Sequence, residues 1–272
     1  MKNIQKLLIL SDFSDLSVPL IKYGLALSKH LGAKVWLQYV YHITANVSGD
    51  IYISPAVLGS FEDEVQKKFE KLSEKIPALK EDHVVFQIRS GDLVTEANDL
   101  IDEENIDLVI MGNRSEGFLT NILGSTANKM IQHAHCPVLS IPQEIEFEPF
   151  SKIALAVDLQ HTSPEVISFL GTFAKAFSAR IDVIHVSQAP VPIDVRQLIH
   201  TLDQHLEGLK HQFFHIHAPN IDEAIERHMA GNNTDVLILL PREHPFFDSL
   251  FQKSISRQAA YQKKTPLLTI KK

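Results

Sequence analysis

Short apolar runs alternate with longer segments of helical periodicity along the whole chain. The runs at residues 7–10, 35–40, 84–88, 107–111 and 138–141 are too short for helices and are predicted to be strands buried on both faces. Between them, residues 17–31, 61–76, 94–104 and 124–136 carry apolar side chains on one helical face and are predicted to be helices. Strands that alternate with helices imply parallel pairing through right-handed crossovers.

The second half of the chain repeats this pattern. Asp12 and Asp158 each end a strand, 146 positions apart, and the same offset relates Val40 to Val186. The last two strands match at shorter offsets, 128 and 129. The sequence therefore predicts two similar doubly wound α/β domains of flavodoxin- or Rossmann-like type, each with a five-stranded parallel sheet of order 3-2-1-4-5. We place them at residues 1–143 and 152–272, joined by an exposed linker at 144–151.

Several turns can be assigned from glycine and proline. Gly32 is predicted to end the first helix in a left-handed conformation, and Gly112 to stop the fourth strand. Residues 41–60 form a long, mostly polar connection that could cover a site, since connections of this length are uncommon in compact domains. Between residues 240 and 254, where the second copy should repeat the loop after the fourth strand, there is no glycine.

The loop after the fourth strand is the main candidate for function. It leads from Gly112 to Gly124, Ser125 and Thr126, which open the next helix. Unpaired backbone N–H groups and the positive end of the helix dipole favour an anion at such a helix start, and glycine lets the anion approach the backbone. A phosphate site is therefore one interpretation, and an ordinary strand-to-helix connection is the other.

Four of these features together resemble the universal stress protein family. They are Asp12 at the end of the first strand, Val40 closing the second, the Gly-Ser helix start and the Cys-Pro-Val-Leu sequence of the last strand. The repeat is similar to the tandem two-domain members of that family, and the resemblance covers nearly the whole chain. The loop departs from the family pattern in two ways: Ser115 stands at the second glycine, and the loop is one residue shorter.

The resemblance implies a ligand and a set of binding residues. The ligand is ATP or a related adenine nucleotide, which Mg²⁺ can accompany. Asp12 and Val40 would flank the ribose and adenine. The phosphates would be held by Gly112, Gly124, Ser125 and Thr126.

Two functions from different classes follow. The first is nucleotide sensing in the first domain, with little or no turnover, as part of a stress response. The second is a nucleotide-independent stress or protein-interaction module whose site is degenerate in both domains. We expect no enzyme and no catalytic residue, because no base or nucleophile is paired with Asp12 in the sequence pattern. Residues 11–14 also lack the glycines of the related adenine-nucleotide hydrolases.

The resemblance also implies a pairing between the domains. Family members commonly pair their last strands, so residues 138–141 are predicted to lie beside residues 267–270 in an intramolecular pseudo-dimer. This pairing would cover two apolar edges that otherwise invite aggregation. A homodimer and an unidentified protein partner remain open.

Composition and charge exclude other classes of partner. The 272 residues include 26 basic and 33 acidic side chains, with a net charge of -7 and no basic cluster, so we expect no nucleic-acid partner. No apolar run is long enough for a membrane span, and the first residues lack a cleavable signal, so a cytoplasmic protein is expected. The single Cys136 is predicted to be a small buried hydrophobe.

Histidine is abundant, with 14 residues. His133 and His135 are predicted in the last turn of a helix, where the dipole favours imidazolium. His215 and His217 would share one face of a strand, but no third ligand completes a zinc site in the sequence pattern. We therefore predict no metal site.

Overall fold

The computed structural model describes residues 3–41, 55–113, 125–143, 145–157, 164–187, 203–204, 206–240 and 265–270. The strands are β1 (Lys6–Leu10), β2 (Lys34–Tyr41), β3 (Val84–Ser90), β4 (Leu108–Asn113), β5 (Val138–Pro142), β6 (Lys152–Ala156), β7 (Arg180–Ser187), β8 (His211–His217), β9 (Val236–Leu239) and β10 (Leu267–Thr269). The helices are α1 (Val18–Leu31), α2 (Pro55–Lys75), α3 (Leu93–Glu104), α4 (Ser125–His133), α5 (Pro164–Phe177) and α6 (Ile221–Asn232), and short 3-10 turns lie at Asp15–Ser17 and Pro77–Lys80.

All ten described strands form one sheet, in the order β3-β2-β1-β4-β5-β10-β9-β6-β7-β8. Each half has the predicted order 3-2-1-4-5 with parallel pairing, so the predicted fold class is confirmed. The halves join where β10 runs antiparallel to β5, with Leu268 opposite Leu139. The structure thus shows the pairing of last strands that the sequence predicted.

Helices cover both faces of this sheet. In the first half, α1 and α2 pack on one face against Ile9 and Ile110, which are fully buried. On the other face, α3 and α4 pack against Leu8 and Val109. The core on the α1 face continues without a break into the second half, where it includes Phe173 of α5. The two halves therefore share one hydrophobic core.

The linker is not exposed throughout, which corrects the prediction. Phe150 is only 3% exposed, and its ring lies 4.7 Å from that of Phe177. His30 at the end of α1 stacks on Phe177 at 4.8 Å, and its Nε2 lies 3.1 Å from the carbonyl oxygen of Ala176. Phe147 packs beside His30. The linker aromatics were misjudged because glutamates and prolines surround them in the sequence.

Turn assignments were partly right. Gly32 ends α1 with a φ of 66°, as predicted. Two boundaries were wrong. Helix α2 begins at Pro55 and not at residue 61, because proline fits the first turn, where its missing N–H costs nothing. Strand β4 does not stop at Gly112, which pairs with Ile141 as part of the ladder.

Parts of the second half fall outside the described residues. These include Asp158 and residues 241–254, the glycine-free loop of the second copy. Among the residues that are described, no helix is long and apolar enough to cross a membrane. Cys136 is partly buried against the core on the α3 and α4 face, and burial raises the pKa of its thiol to about 12.

Candidate functional site

The winding of the first domain reverses between two neighbouring strands, β1 and β4. From β1 to β3 the chain passes through α1 and α2 on one face, and from β3 to β5 it passes through α3 and α4 on the other. Strands β1 and β4 pair directly, with Leu8 beside Val109 and Ile9 beside Ile110. Their carboxyl ends therefore border the crevice where ligands bind in open α/β sheets.

Asp12 lies at this edge, directly after β1. Its side chain is exposed, and Oδ1 accepts hydrogen bonds from the backbone N–H of Ser14, at 3.1 Å, and from the hydroxyl of Ser17. Ser17 is 2% exposed and stands immediately before α1. The carboxylate is thus fixed to the start of α1, with its position set by a backbone amide and a buried hydroxyl.

Phe13 gives the turn after Asp12 an unusual backbone. Its φ is 56°, in the left-handed region that bulky residues rarely adopt. The ring packs against Tyr39 at 5.1 Å and Phe86 at 5.3 Å, and its N–H donates to the Ser11 hydroxyl at 3.1 Å. Aromatic packing therefore holds a conformation that costs about 1–3 kcal/mol, which is a feature common at binding sites.

Val40 and Gly112 lie at the same edge of the sheet. Val40 is near the end of β2, partly buried and beside Arg89 of β3. Gly112 is in β4, and a Cβ built on it would lie 3.6 Å from Cδ2 of Leu20, an ordinary van der Waals contact. Among the described residues, packing therefore leaves room for a Cβ at position 112.

Helix α4 approaches the site with its first turn. It begins at Ser125, and Thr126 is exposed; the side chain of Ser125, like the whole of Gly124, lies outside the described residues. The other end of α4 is fixed to α3, because Asn98 donates to the carbonyl oxygen of His133 at 2.9 Å. Asp12, Val40 and Gly112 thus lie at the carboxyl edge of the sheet. Helix α4 follows β4 in the chain, so its first turn faces the same edge. The roles of these residues in binding stay predictions.

The prediction for His135 was wrong. The residue lies beyond the end of α4, and its Nδ1 is 2.9 Å from Oδ2 of Asp102 on α3. The backbone N–H of His135 also donates to Oδ1 of Asn98, at 3.0 Å. His135 therefore ties α4 to α3 through a side-chain pair and a backbone hydrogen bond, because Pro137 and the β5 strand follow too closely for the helix to continue.

A second polar group lies at the carboxyl ends of the strands in the second domain. His185 of β7 stands beside His215 of β8, and Ser187 stands beside His217. Sequence reasoning considered His215 and His217 but missed His185, because only the strand register brings the three together. The repeat held a signal: His185 occupies the position of Tyr39 at the 146-residue offset. Among described residues, no three His, Cys, Asp or Glu side chains already form a metal-binding group.

The fold is a tandem pair of doubly wound α/β domains, and the candidate site lies at the switch point of the first domain. The family model for the universal stress protein family matches residues 3–142. The chain belongs to the universal stress protein family.

Individual relatives agree with this assignment. The chain is 28% identical over 142 residues to universal stress protein MJ0531 of Methanocaldococcus jannaschii, covering 50% of this chain and 81% of the relative. It is 23% identical to universal stress protein Slr1230 of Synechocystis over the full length of both. The crystal structure of a universal stress protein from Archaeoglobus fulgidus superposes with a TM-score of 0.69 at 18% identity, over 99% of this chain and 98% of that one. This structural likeness shows that the tandem fold is shared.

Proposed function

We propose that the first domain binds ATP or a related adenine nucleotide with little or no turnover and acts as a sensor in a stress response. One observation carries the proposal: Asp12 directly follows β1 and Gly112 lies near the end of β4, the two strands pair where the winding reverses, and α4 begins after the loop that leaves β4. A helix start at such a crevice favours phosphate through its N–H groups and its dipole. Membership of the family supports the same ligand.

The residues have distinct roles in this proposal. The exposed carboxylate of Asp12 accepts hydrogen bonds from the ribose hydroxyls. Val40, at the end of β2, borders the adenine. Gly112, Gly124, Ser125 and Thr126 surround the phosphates, and Mg²⁺ can accompany them as a counter-ion that the phosphates themselves ligate.

The hydrogen bonds of Asp12 favour a role in holding the ligand over a catalytic role. Oδ1 is already engaged by the Ser14 amide and the Ser17 hydroxyl. A carboxylate held in this way keeps a fixed position from which it can accept a ligand hydroxyl. No base or nucleophile is paired with Asp12 in the sequence pattern. Slow or absent turnover is therefore part of the proposal, and a phosphate-release assay over hours tests it.

Calorimetric titration of ATP into the full chain tests binding. Asp12→Asn keeps a side-chain oxygen for the Ser14 amide but removes the charge, and should weaken binding by about tenfold or more, the value of a charged hydrogen bond. Gly124→Val should abolish binding by placing a branched side chain where the anion approaches the backbone. Asp102→Asn, an exposed carboxylate paired with His135, is the matched control and should bind as wild type does.

The alternative function is a nucleotide-independent interaction module. It is favoured by the loop itself, which has Ser115 in place of a glycine and one residue fewer than the family pattern. The same titration of ATP distinguishes nucleotide sensing from the interaction module. No heat from wild type at millimolar ATP would reject sensing and leave the interaction module, whereas binding that survives Gly124→Val would show that the site lies elsewhere.

A further inference from the structure

We propose that the second domain binds a divalent late-transition-metal ion, of the Zn²⁺, Ni²⁺ and Cu²⁺ class, through His185 and His215, with His217 as a third imidazole. This proposal does not depend on nucleotide binding in the first domain. We call His185, Ser187, His215 and His217 the imidazole array.

The strand register places the array on one face of the sheet. His185 of β7 is directly beside His215 of β8, and Ser187 is directly beside His217. All four share the face of Val183 and Phe213, which pack in the core beneath α5, since side chains on a strand alternate between faces. The rings of His185 and His215 are stacked, with centroids 5.4 Å apart and planes 30° from parallel.

Each of the two stacked rings has one nitrogen engaged by the protein. Nδ1 of His185 lies 3.3 Å from the carbonyl oxygen of Val157, to which it can only donate. Nε2 of His215 lies 3.0 Å from the hydroxyl oxygen of Ser187. A neutral imidazole whose one N–H donates to a carbonyl or hydroxyl oxygen presents a lone pair on its other nitrogen, which is the usual arrangement of histidines that ligate metals.

The fold itself does not require histidine at these positions. In the first domain Tyr39 occupies the place of His185, and the residue beside it on the next strand is Ile88. His185 is 9% exposed, and burying an imidazole costs more than burying an apolar side chain of similar size. Two imidazoles in the places of Tyr39 and Ile88, one of them buried, therefore point to a use for their nitrogens.

The chemistry of the array selects the class of ion. Imidazole suits Zn²⁺, Cu²⁺ and Ni²⁺, whereas Mg²⁺ and Ca²⁺ prefer oxygen ligands. Because the rings are stacked, their lone pairs do not yet converge, which agrees with the lack of a preformed group of three ligands among the described residues. On binding, the rings of His185 and His215 tilt toward a shared ion while each keeps its contact with Val157 or Ser187. His217 approaches from the next position on that face, and water completes the coordination.

The test uses the full chain without an affinity tag. Zn²⁺ is titrated by calorimetry, and the nitrogen hyperfine pattern of bound Cu²⁺ counts the imidazoles. We expect one site per chain, with at least two equatorial nitrogens. His185→Tyr, which restores the residue of the first copy, and His215→Gln should each weaken binding by more than about tenfold and remove one nitrogen from the spectrum.

A matched control and a mild variant complete the design. His211 lies on β8, the strand of His215, but is paired with Asp203 at 2.8 Å. His211→Gln should therefore leave the metal affinity and the Cu²⁺ spectrum unchanged. Ser187→Ala removes no ligand, only the partner of His215, and should weaken binding by about tenfold. The proposal is overturned if His185→Tyr and Ser187→Ala bind as wild type does, or if His211→Gln lowers affinity as much as they do, because the metal would then be adventitious on surface histidines.

Discussion

Gly24 of α1 lies against the strands that carry the candidate site, and its replacement by alanine should destabilise the protein. A Cβ at position 24 would overlap Cδ1 of Ile9, lie 2.9 Å from Cγ1 of the same residue and 3.6 Å from Cδ1 of Ile110. Both isoleucines are fully buried, so neither side chain can move into solvent. Ile9 is in β1, three residues before Asp12, so the strain falls directly beneath the turn that holds the carboxylate.

Two effects of opposite sign decide the size of the change. Alanine in a helix interior is favoured over glycine by about 1 kcal/mol. Overpacking a close-packed core by one methyl group costs about 1–3 kcal/mol. We expect overpacking to prevail, with a net loss of up to about 2 kcal/mol in the free energy of unfolding measured by urea denaturation.

Gly231 provides the matched control. It lies in α6, and a Cβ there would meet no heavy atom of the described residues within 4 Å. Gly231→Ala should therefore show only the gain in helix propensity, reduced because the position is near the helix end. If Gly24→Ala proves as stable as Gly231→Ala, the close packing of α1 on β1 is not as the structure shows. Ile9→Val, which removes Cδ1, should recover part of the loss in a double-mutant cycle.

Three further predictions concern the stability contributed by two helix ends and one buried ion pair. Gly32→Ala should cost about 1 kcal/mol in urea denaturation, because its φ of 66° strains any side chain although space is open there. Asp92 caps α3 by accepting from two backbone N–H groups, so Asp92→Ala should cost about 1 kcal/mol at pH 7. Those bonds hold the pKa of Asp92 below its ordinary value of 3.8, so the wild-type advantage should persist above that pH and vanish as pH falls through the lowered pKa. Asp182 is a buried carboxylate paired with the half-exposed Arg180 and the buried His228, so Asp182→Ala should cost about 1–3 kcal/mol, against less than about 1 for the exposed Asp203→Ala.

Much of the fold could be predicted because its determinants are local. Periodicity located the described strands, and the 146-residue offset between Asp12 and Asp158 indicated two copies with one topology. The predicted element boundaries were wrong at a proline and a glycine, because both residue types occur in turns and also within helices or strands. Pro55 fell within the predicted connection at residues 41–60 although it begins α2, and Gly112 was taken as the end of a strand that continues past it.

The site was less predictable because it depends on contacts between distant segments. Asp12 could be singled out as the end of a strand, but its bond to the Ser17 hydroxyl and the left-handed Phe13 beside it could not. Those features arise from how the turn packs on β2 and β3, which periodicity does not describe. His185 was missed for a similar reason, since its neighbour His215 is 30 residues away and becomes adjacent only through the β7–β8 register.

The two copies differ at the ends of the strands more freely than in their interiors. Most interior positions of both halves are apolar, because one core runs through the paired strands β5 and β10. The buried Asp182 of β7, at the position of Trp36 in the first copy, is tolerated because an arginine and a histidine pair with it. At the carboxyl ends of the strands that constraint relaxes, and Tyr39 in one copy can become His185 in the other without loss of the sheet. Duplication within one chain therefore lets the second copy change the side chains at its strand ends while it continues to cover the β5 edge of the first.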